Sequence, residues 1–508
     1  MSLLPRQAGV KRESGMNLRE LLTGCEYRVL QGDPRQADVR VGIAYDSRRV
    51  TTGSLYIALR GTRTDGHHFV GDAVERGAAA VLVERPPASL MPDHACVAQV
   101  TDTRAVAPIV AARYFGEPSR EMQVIAVTGT NGKTSISFMA EAMLRIGARA
   151  TVGVIGTDGC RVGDEPIGID KTTPTTPEAV ELQQILRTMR DRGASTVVLE
   201  ASSMALALHR VDATDIDVGV FTNLTPDHLD HHGSMQAYKQ AKLLLFGGMC
   251  RQAVTNADDP VSADIAALMP GAVTTYGLDN PGADFRATDL RVDATGTSFV
   301  LHHGGRRRPA RVPLPGRFAV SNVLATLATG HLLGYDLDAL LGALETLPAI
   351  PGRFQTYQTP AGVSAIVDYA HSSDSLEKVL TTIHEFADGR VITVFGCGGD
   401  RDPSKRAPMG EIAGRHSDVV IVTSDNPRTE DPDTIIDDIL PGVAVAAAIM
   451  ERVTDRRQAI SRALQLALPG DVVLVAGKGA EPYQIIGNRE IPFNDMSAVR
   501  ELSTPSNA

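Results

Sequence analysis

At roughly 100–200 residues per domain, a chain of 508 residues has room for about three. Its 43% hydrophobic and 22% charged residues are ordinary for a globular protein, and a net charge of −10 from 50 basic and 60 acidic residues gives no footing to a nucleic-acid or anionic-membrane partner. The five cysteines, Cys25, Cys96, Cys160, Cys250 and Cys397, lack metal-ligand spacing and read as free thiols of a reducing compartment. Met1 to Ser14 carries charges but no apolar core, so no signal peptide is expected, and no apolar run approaches the ~20 residues of a membrane span. About fifteen N-terminal residues and the tail from Ser503 to Ala508 are expected to be mobile.

In chain order, residues up to about 108 form a smaller unit with a strand at Leu55–Leu59 and a helix–strand pair ending at Val81–Val83. The strand Val124–Val127 then leads to a helix-like run from Ser135 to Ile146, followed by strands at Val197–Leu199, Val218–Phe221 and Ala253–Thr255. Continuous apolar strands separated by helices predict a parallel sheet covered on both faces. A Pro/Gly-rich linker falls at Leu347–Gly352. A second alternating series follows at Ile366–Val367, Val391–Phe395, Val419–Val422 and Val472–Val475. The expectation is an α/β protein of three domains: 1–108, a small α/β unit; 109–350, with a mostly parallel sheet; and 351–508, Rossmann-like.

The sharpest motif is Thr128-Gly129-Thr130-Asn131-Gly132-Lys133-Thr134, with a strand before it and a helix after it. In that context a glycine loop presents backbone N–H groups and a helix N-terminus to phosphates. Lys133 would reach the β/γ-phosphates, and the Thr134 hydroxyl would ligate Mg²⁺. The position five residues before the Gly-Lys pair is Val127 rather than glycine. This shortened loop argues against a signalling NTPase or motor. Glu200 ends a buried strand, the end at which a parallel sheet presents ligand-binding groups. Asn223 and the run Asp227-His228-Leu229-Asp230-His231-His232 follow the next strand. Beside a phosphate loop these oxygen-rich residues fit a Mg²⁺ site, with any histidine ligand secondary. Lys242, taken alone, is one more helical lysine.

Together, Gly129–Thr134, Glu200, Asp227-His228-Leu229-Asp230 and Lys242 resemble the ATPase centre of the Mur ligase family, in order and approximate spacing. The resemblance covers nearly the whole chain and is strongest toward the members that add the third residue of the peptidoglycan stem peptide. It implies a cytoplasmic, monomeric, ATP-dependent ligase. The reaction would join meso-diaminopimelate to UDP-N-acetylmuramoyl-alanyl-glutamate through an acyl phosphate. It also implies a UDP-binding first domain, a central ATPase and a third domain that closes over the site, with neither nucleic acid nor membrane insertion.

By the same resemblance, Thr134, Glu200 and His228 would hold Mg²⁺, and Lys242 would carry a CO₂-derived carbamate supporting a second Mg²⁺. Asn322 would face adenine; Arg353 and Asp368 would contact ATP. Ser47 in Asp46-Ser47-Arg48, and Thr62, fall where the family binds uridine. Thr175, Thr176, Ser202 and Arg210 fall where it binds the muramoyl dipeptide, although the duplicated Thr172-Thr173-Pro174 leaves a second register three residues earlier. Asp425-Asn426-Pro427-Arg428 resembles the motif that selects diaminopimelate, and an arginine fork suits its distal carboxylate. Arg401 would join Asn426 and Arg428, while Gly477 and Glu481 would take the amino-acid head.

The chain departs from the family pattern at Met204, Ala319, Gln355, Ser372-Ser373 and Ala480. None of these removes a phosphate or Mg²⁺ position or Lys242. They leave open a paralogue acting on lysine, ornithine or another acceptor. Folylpolyglutamate synthase shares the ATPase, but the arginine-rich pocket and Asp46-Ser47-Arg48 argue against it. A non-catalytic nucleotide-binding scaffold would have no need of Lys133, Glu200, His228 and Lys242 together.

Overall fold

In a computed structural model, residues 15–61, 64–88, 91–169, 171–445 and 448–504 are described; Thr62, the first fourteen residues and the tail from 505 lie outside them. The contacts group the chain into two compact units. The first holds the described residues of Met1–Thr128, with Ala150–Gly219 and Ala241–Ala253; the second holds Gly129–Arg149, Val220–Gln240 and Val254–Ala508, again as far as described.

In the first unit, a five-stranded sheet runs in the order Arg28–Gln31, Cys96–Gln99, Ala80–Val83, Ser54–Ile57, Gly42–Ala44. All neighbours are parallel except the first pair. One face buries Leu55, Leu82 and Ala98 against the helix Thr103–Phe115 through Ala107, Val110 and Ala111. The other face buries Tyr56, Val81 and Val97 against Val70, Ala73 and Val74 of the helix Val70–Glu75. Continuous apolar runs such as Ala80–Val83, buried throughout, are what a sheet covered on both sides requires. In the same unit the strand Thr196–Glu200 lies parallel between Gln123–Thr128 and Val152–Gly156. The strands expected at Val124–Val127 and Val197–Leu199 are therefore present, each slightly longer than its apolar run.

In the second unit, the helix Lys133–Gly147 packs on the helices Arg317–Leu332 and Leu337–Leu344. A parallel pair, Val273–Gly277 and Phe285–Asp293, continues as an antiparallel meander through Gly296–His303 and Arg306–Val312. Toward the C-terminus a six-stranded sheet runs in the order Gln355–Gln358, Ser364–Asp368, Val472–Ala476, Val391–Phe395, Val419–Val422, Ile449–Arg452. It is parallel except at its first, antiparallel edge strand. Apolar clusters cover both faces, one centred on Phe395, Met409 and Ile439, the other on Val394, Ile460 and Val499. Its carboxyl ends, at Asp368, Phe395, Val422 and Ala476, all lead into residues singled out for binding, as expected of an open parallel sheet.

Candidate active site

The loop Gly129–Thr134 is held in the second unit by the segment after strand Ile216–Phe221. Thr130 N donates to Asn223 O at 2.8 Å, Asn131 N to Asn223 Oδ1 at 3.0 Å, and Thr222 Oγ1 to Asn131 O at 2.6 Å. Both loop glycines adopt positive φ, +146° and +91°. A Cβ at Gly129 would lie 1.8 Å from Thr222 Oγ1, and one at Gly132 would lie 2.7 Å from Asn322 Oδ1. Only glycine fits either place. Gly132 opens the helix Lys133–Gly147, whose first-turn N–H groups have no carbonyl within their own helix. Lys133 Nζ folds back to Gly129 O and Thr130 O, both at 2.9 Å, which holds an ammonium at the mouth of the loop.

The C-terminal sheet reaches this loop. Arg353 Nη2 donates to Thr134 Oγ1 at 3.2 Å, and its guanidinium lies over the Tyr369 ring at 4.4 Å. Asp368, the last residue of its strand, accepts from Phe354 N at 2.6 Å, which anchors the turn carrying Arg353; burial raises its carboxyl above the ordinary range. Asp374, which the sequence reading passed over, ties the two regions together through one oxygen. Its Oδ2 accepts from Asn131 Nδ2 at 2.9 Å, Thr225 Oγ1 at 3.1 Å and Lys378 Nζ at 2.8 Å. The only sequence signal was its place in the first turn of a helix capped by Ser372. Asn322 is buried with its amide against Gly132, beside the phosphate loop.

The expected Mg²⁺ ligands belong to both units: Glu200 and Lys242 to the first, Thr134 and His228 to the second. Glu200 is 1% exposed and accepts from Thr157 N and Thr157 Oγ1, both at 3.1 Å, so its carboxylate is fixed in direction. Lys242 is 1% exposed, and among the described residues only it and Lys478 are buried lysines. His228 lies at φ +53° beside Asp227, its Nε2 3.6 Å from Asp227 Oδ2. Among the described residues no group of three or more His, Cys, Asp or Glu side chains is gathered to hold a metal. A threonine hydroxyl at the start of the helix after a glycine loop is an oxygen donor that suits Mg²⁺, which takes part of its shell from substrate phosphates and water.

In the first unit, Thr176 is fully buried, accepting from Ser202 N at 3.0 Å and donating to Glu200 O at 2.7 Å. Thr175 Oγ1 lies 3.2 Å from Thr157 Oγ1. Of the two threonine pairs, Thr175–Thr176 is thus the one built into the Glu200 strand end. Arg210 pairs with Glu178 at 2.9 Å, and Arg104 approaches the other Glu178 oxygen at 3.4 Å. Ser47 is buried in a short 3-10 turn, while Arg48 forks onto Asp46 at 2.7 Å from an exposed position. Tyr45, next to that segment, donates to Glu181 and lies 2.9 Å from Thr172 Oγ1; sequence reasoning missed this link.

The C-terminal pocket gathers its expected residues. Asp425 and Asn426 are buried, and Gly477 at φ +115° leaves room for Asp425: a Cβ there would lie 2.6 Å from its Oδ2. Arg428, at φ +53°, is braced by a hairpin the sequence reading did not foresee, Tyr483–Ile486 with Arg489–Pro492. Its N donates to Ile485 O, and Gly487 N donates to its O at 2.7 Å. Its Nη1 donates to Gly399 O at 2.7 Å. Arg401 stands close by across Gly398: burial first, and then the charge of Arg428, lowers its affinity for its proton. Arg401 is exposed and Arg428 half-buried, and two neighbouring guanidiniums of this kind suit an anion. Of the departures, Gln355 still accepts from Gly352 N at 2.9 Å, and Ser372 caps its helix.

Three family models match the chain: "Mur ligase family, catalytic domain" over residues 41–113, "Mur ligase middle domain" over 127–330, and "Mur ligase, glutamate ligase domain" over 352–479. A UDP-N-acetylmuramoyl-L-alanyl-D-glutamate--2,6-diaminopimelate ligase 2 of Clostridium acetobutylicum is 40% identical, over 96% of this chain and all of that one. A ligase of the same name without the numeral, from Geobacter metallireducens, is 44% identical over 91% of this chain and 94% of its own. A solved structure of a protein of that name superposes with a TM-score of 0.69 at 34% identity, covering 96% of this chain and 99% of the other. Mycobacterium tuberculosis folylpolyglutamate synthase shares the fold, with a TM-score of 0.61 at 18% identity over 74% of this chain and 92% of its own.

Proposed function

The chain belongs to the Mur ligase family, and on that footing we propose that it is an ATP-dependent, ADP-forming ligase adding meso-2,6-diaminopimelate to UDP-N-acetylmuramoyl-L-alanyl-D-glutamate in peptidoglycan precursor synthesis. The observation that carries the choice of amino acid is the Arg401–Arg428 pair, because the distal carboxylate of diaminopimelate is the anion that lysine and ornithine lack. Residues 1–108 would take the uridine end, 109–350 the nucleotide and 351–508 the amino acid.

A carboxylate attacking a triphosphate is anion against anion, so the barrier is largely electrostatic. Lys133 and the N–H groups at the start of helix Lys133–Gly147 would stabilise charge on the transferring phosphoryl group. Arg353, pinned by Tyr369 and by the Asp368–Phe354 bond, presents a fixed cation beside Thr134. Mg²⁺, held by Thr134, Glu200, His228 and a Lys242 carbamate, would neutralise phosphate charge when bound. Thr175, Thr176, Ser202 and Arg210 would orient the muramoyl dipeptide so that its glutamate carboxylate accepts the phosphoryl group. Asn426, Arg401 and Arg428 would orient the diaminopimelate amine toward the resulting acyl phosphate; amide and inorganic phosphate leave. Closure over the site would keep water from the acyl phosphate. Dependence on ATP and a UDP-linked precursor supports a cytoplasmic reaction, and we take one chain as the working unit.

Amide formation and ADP release, measured with diaminopimelate, lysine and ornithine in parallel, test the reading. Diaminopimelate is expected to be preferred; equal use of lysine refutes the role given to the arginine pair. Lys242→Ala should fold yet make no ADP, and bicarbonate should not restore it; wild-type-like turnover refutes the carbamate.

A further inference from the structure

Lys478 is completely buried, and nothing in the proposed chemistry uses it. Its Nζ donates to Asn426 Oδ1 at 3.0 Å and to Glu481 Oε2 at 2.6 Å. Asn426 Oδ1 also accepts from Ile485 N at 2.9 Å, and Asn426 Nδ2 donates to the same Glu481 oxygen at 2.9 Å. Both neighbours of Oδ1 are donor-only groups, so the amide can be oriented in one way alone: turned over, its NH₂ would face an ammonium and an N–H. Nδ2 carries two hydrogens, and one is given to Glu481. The ammonium therefore sets which way Asn426 donates and supplies the countercharge to Glu481. It does so from Gly477-Lys478-Gly479, a turn whose glycines both have positive φ, +115° and +54°.

We propose that Lys478 is the positioning residue of the amino-acid pocket: it fixes the Asn426 amide and the Glu481 carboxylate in the directions that receive the diamino acid, without touching that substrate itself. The inference rests on the function proposed above and extends it to a residue acting through two others.

Lys478→Met in the full-length protein should raise the KM for diaminopimelate at least about tenfold, with the KM values for ATP and the UDP-linked dipeptide staying within about twofold. Because Lys478 acts through Glu481, Lys478→Met and Glu481→Gln should be non-additive: the double variant should be little worse than the poorer single one. An unmoved diaminopimelate KM, an equal loss for all three substrates, or additive single effects would overturn the proposal. If circular dichroism shows that Lys478→Met does not fold, Lys478→Gln decides by the same split, since it keeps one donor and removes the charge. The wild-type protein run alongside separates the two levels. If wild type forms no amide with diaminopimelate, the function and this inference fall together; if it does and the variants keep its KM, only the inference falls.

Discussion

Arg456 and Asp495 form a bidentate ion pair with no exposed surface on either side chain, at 2.7 and 2.8 Å. The same guanidinium donates to Ala476 O at 3.0 Å and Ser424 O at 3.4 Å. Those two carbonyls immediately precede Gly477 and Asp425, so the pair anchors both segments proposed to bind the amino acid. Arg456→Met would strand the Asp495 carboxylate in the core. Breaking such a pair from one side costs about 3–5 kcal/mol. For a cooperative region of roughly 150–250 residues, the size of the proposed domain 351–508, each kcal/mol moves the melting temperature by about 2–4 °C, so its transition should fall by about 6–20 °C. Differential scanning calorimetry of the full chain reads this directly. Arg456→Met with Asp495→Leu replaces both charges by apolar groups and should recover most of the loss, because the desolvation cost goes with them. A single variant that melts within about 2 °C of wild type would refute the reasoning. So would a double variant no better than the single one.

Lys133→Ala should lower turnover by at least about 100-fold, the usual scale for removing one donor to developing charge, in a coupled ADP-release assay. Arg428→Lys should raise the KM for diaminopimelate more than that for lysine, since a point charge cannot reproduce a planar fork; an unchanged ratio would remove Arg428 from the pocket. Burial raises the Asp471 carboxyl, but bonds from the Arg390 side chain and the Leu468 and Arg390 amides outweigh it and hold it below its ordinary 3.8. A carboxyl depressed in the folded state stabilises above its unfolded value, and that contribution is lost as pH falls through the folded one. Urea unfolding between about pH 6 and pH 3 should therefore show a shallower acid-side loss for Asp471→Asn than for wild type.

Much of this was legible because burial on two sides writes itself as unbroken apolar sequence. Val391–Phe395 and Val419–Val422 begin and end where their apolar runs do. The glycine loop was legible for a different reason: its residues are dictated by close approach. Strands with one solvated face were not foreseen. Phe285–Asp293 buries only Phe285 and Ala287 and changes register between Thr288 and Arg291, and Arg306–Val312 opens on three arginines, which hides the period in polar composition. The bracing hairpin was missed although Gly487-Asn488 sits at its turn, a dipeptide suited to positive φ. Asp374, Lys478 and the Arg456–Asp495 pair were invisible because their roles depend on partners tens to hundreds of residues away. Their own surroundings in the chain read as an ordinary helix start, a glycine turn and two charged helix residues.

The crowding at Gly129 limits the routes open to mutation. Thr222 Oγ1 occupies the place of the missing methyl and at the same time donates to Asn131 O. Enlarging Gly129 alone strains the backbone, and trimming Thr222 alone takes from a loop carbonyl the shorter of its two donors, leaving Asn223 Nδ2 at 3.2 Å. Neither intermediate is benign, so a different loop at this position lies across a valley that no single neutral substitution spans. Drift is blocked there while surface positions such as Ile449 or Leu468 remain open to it.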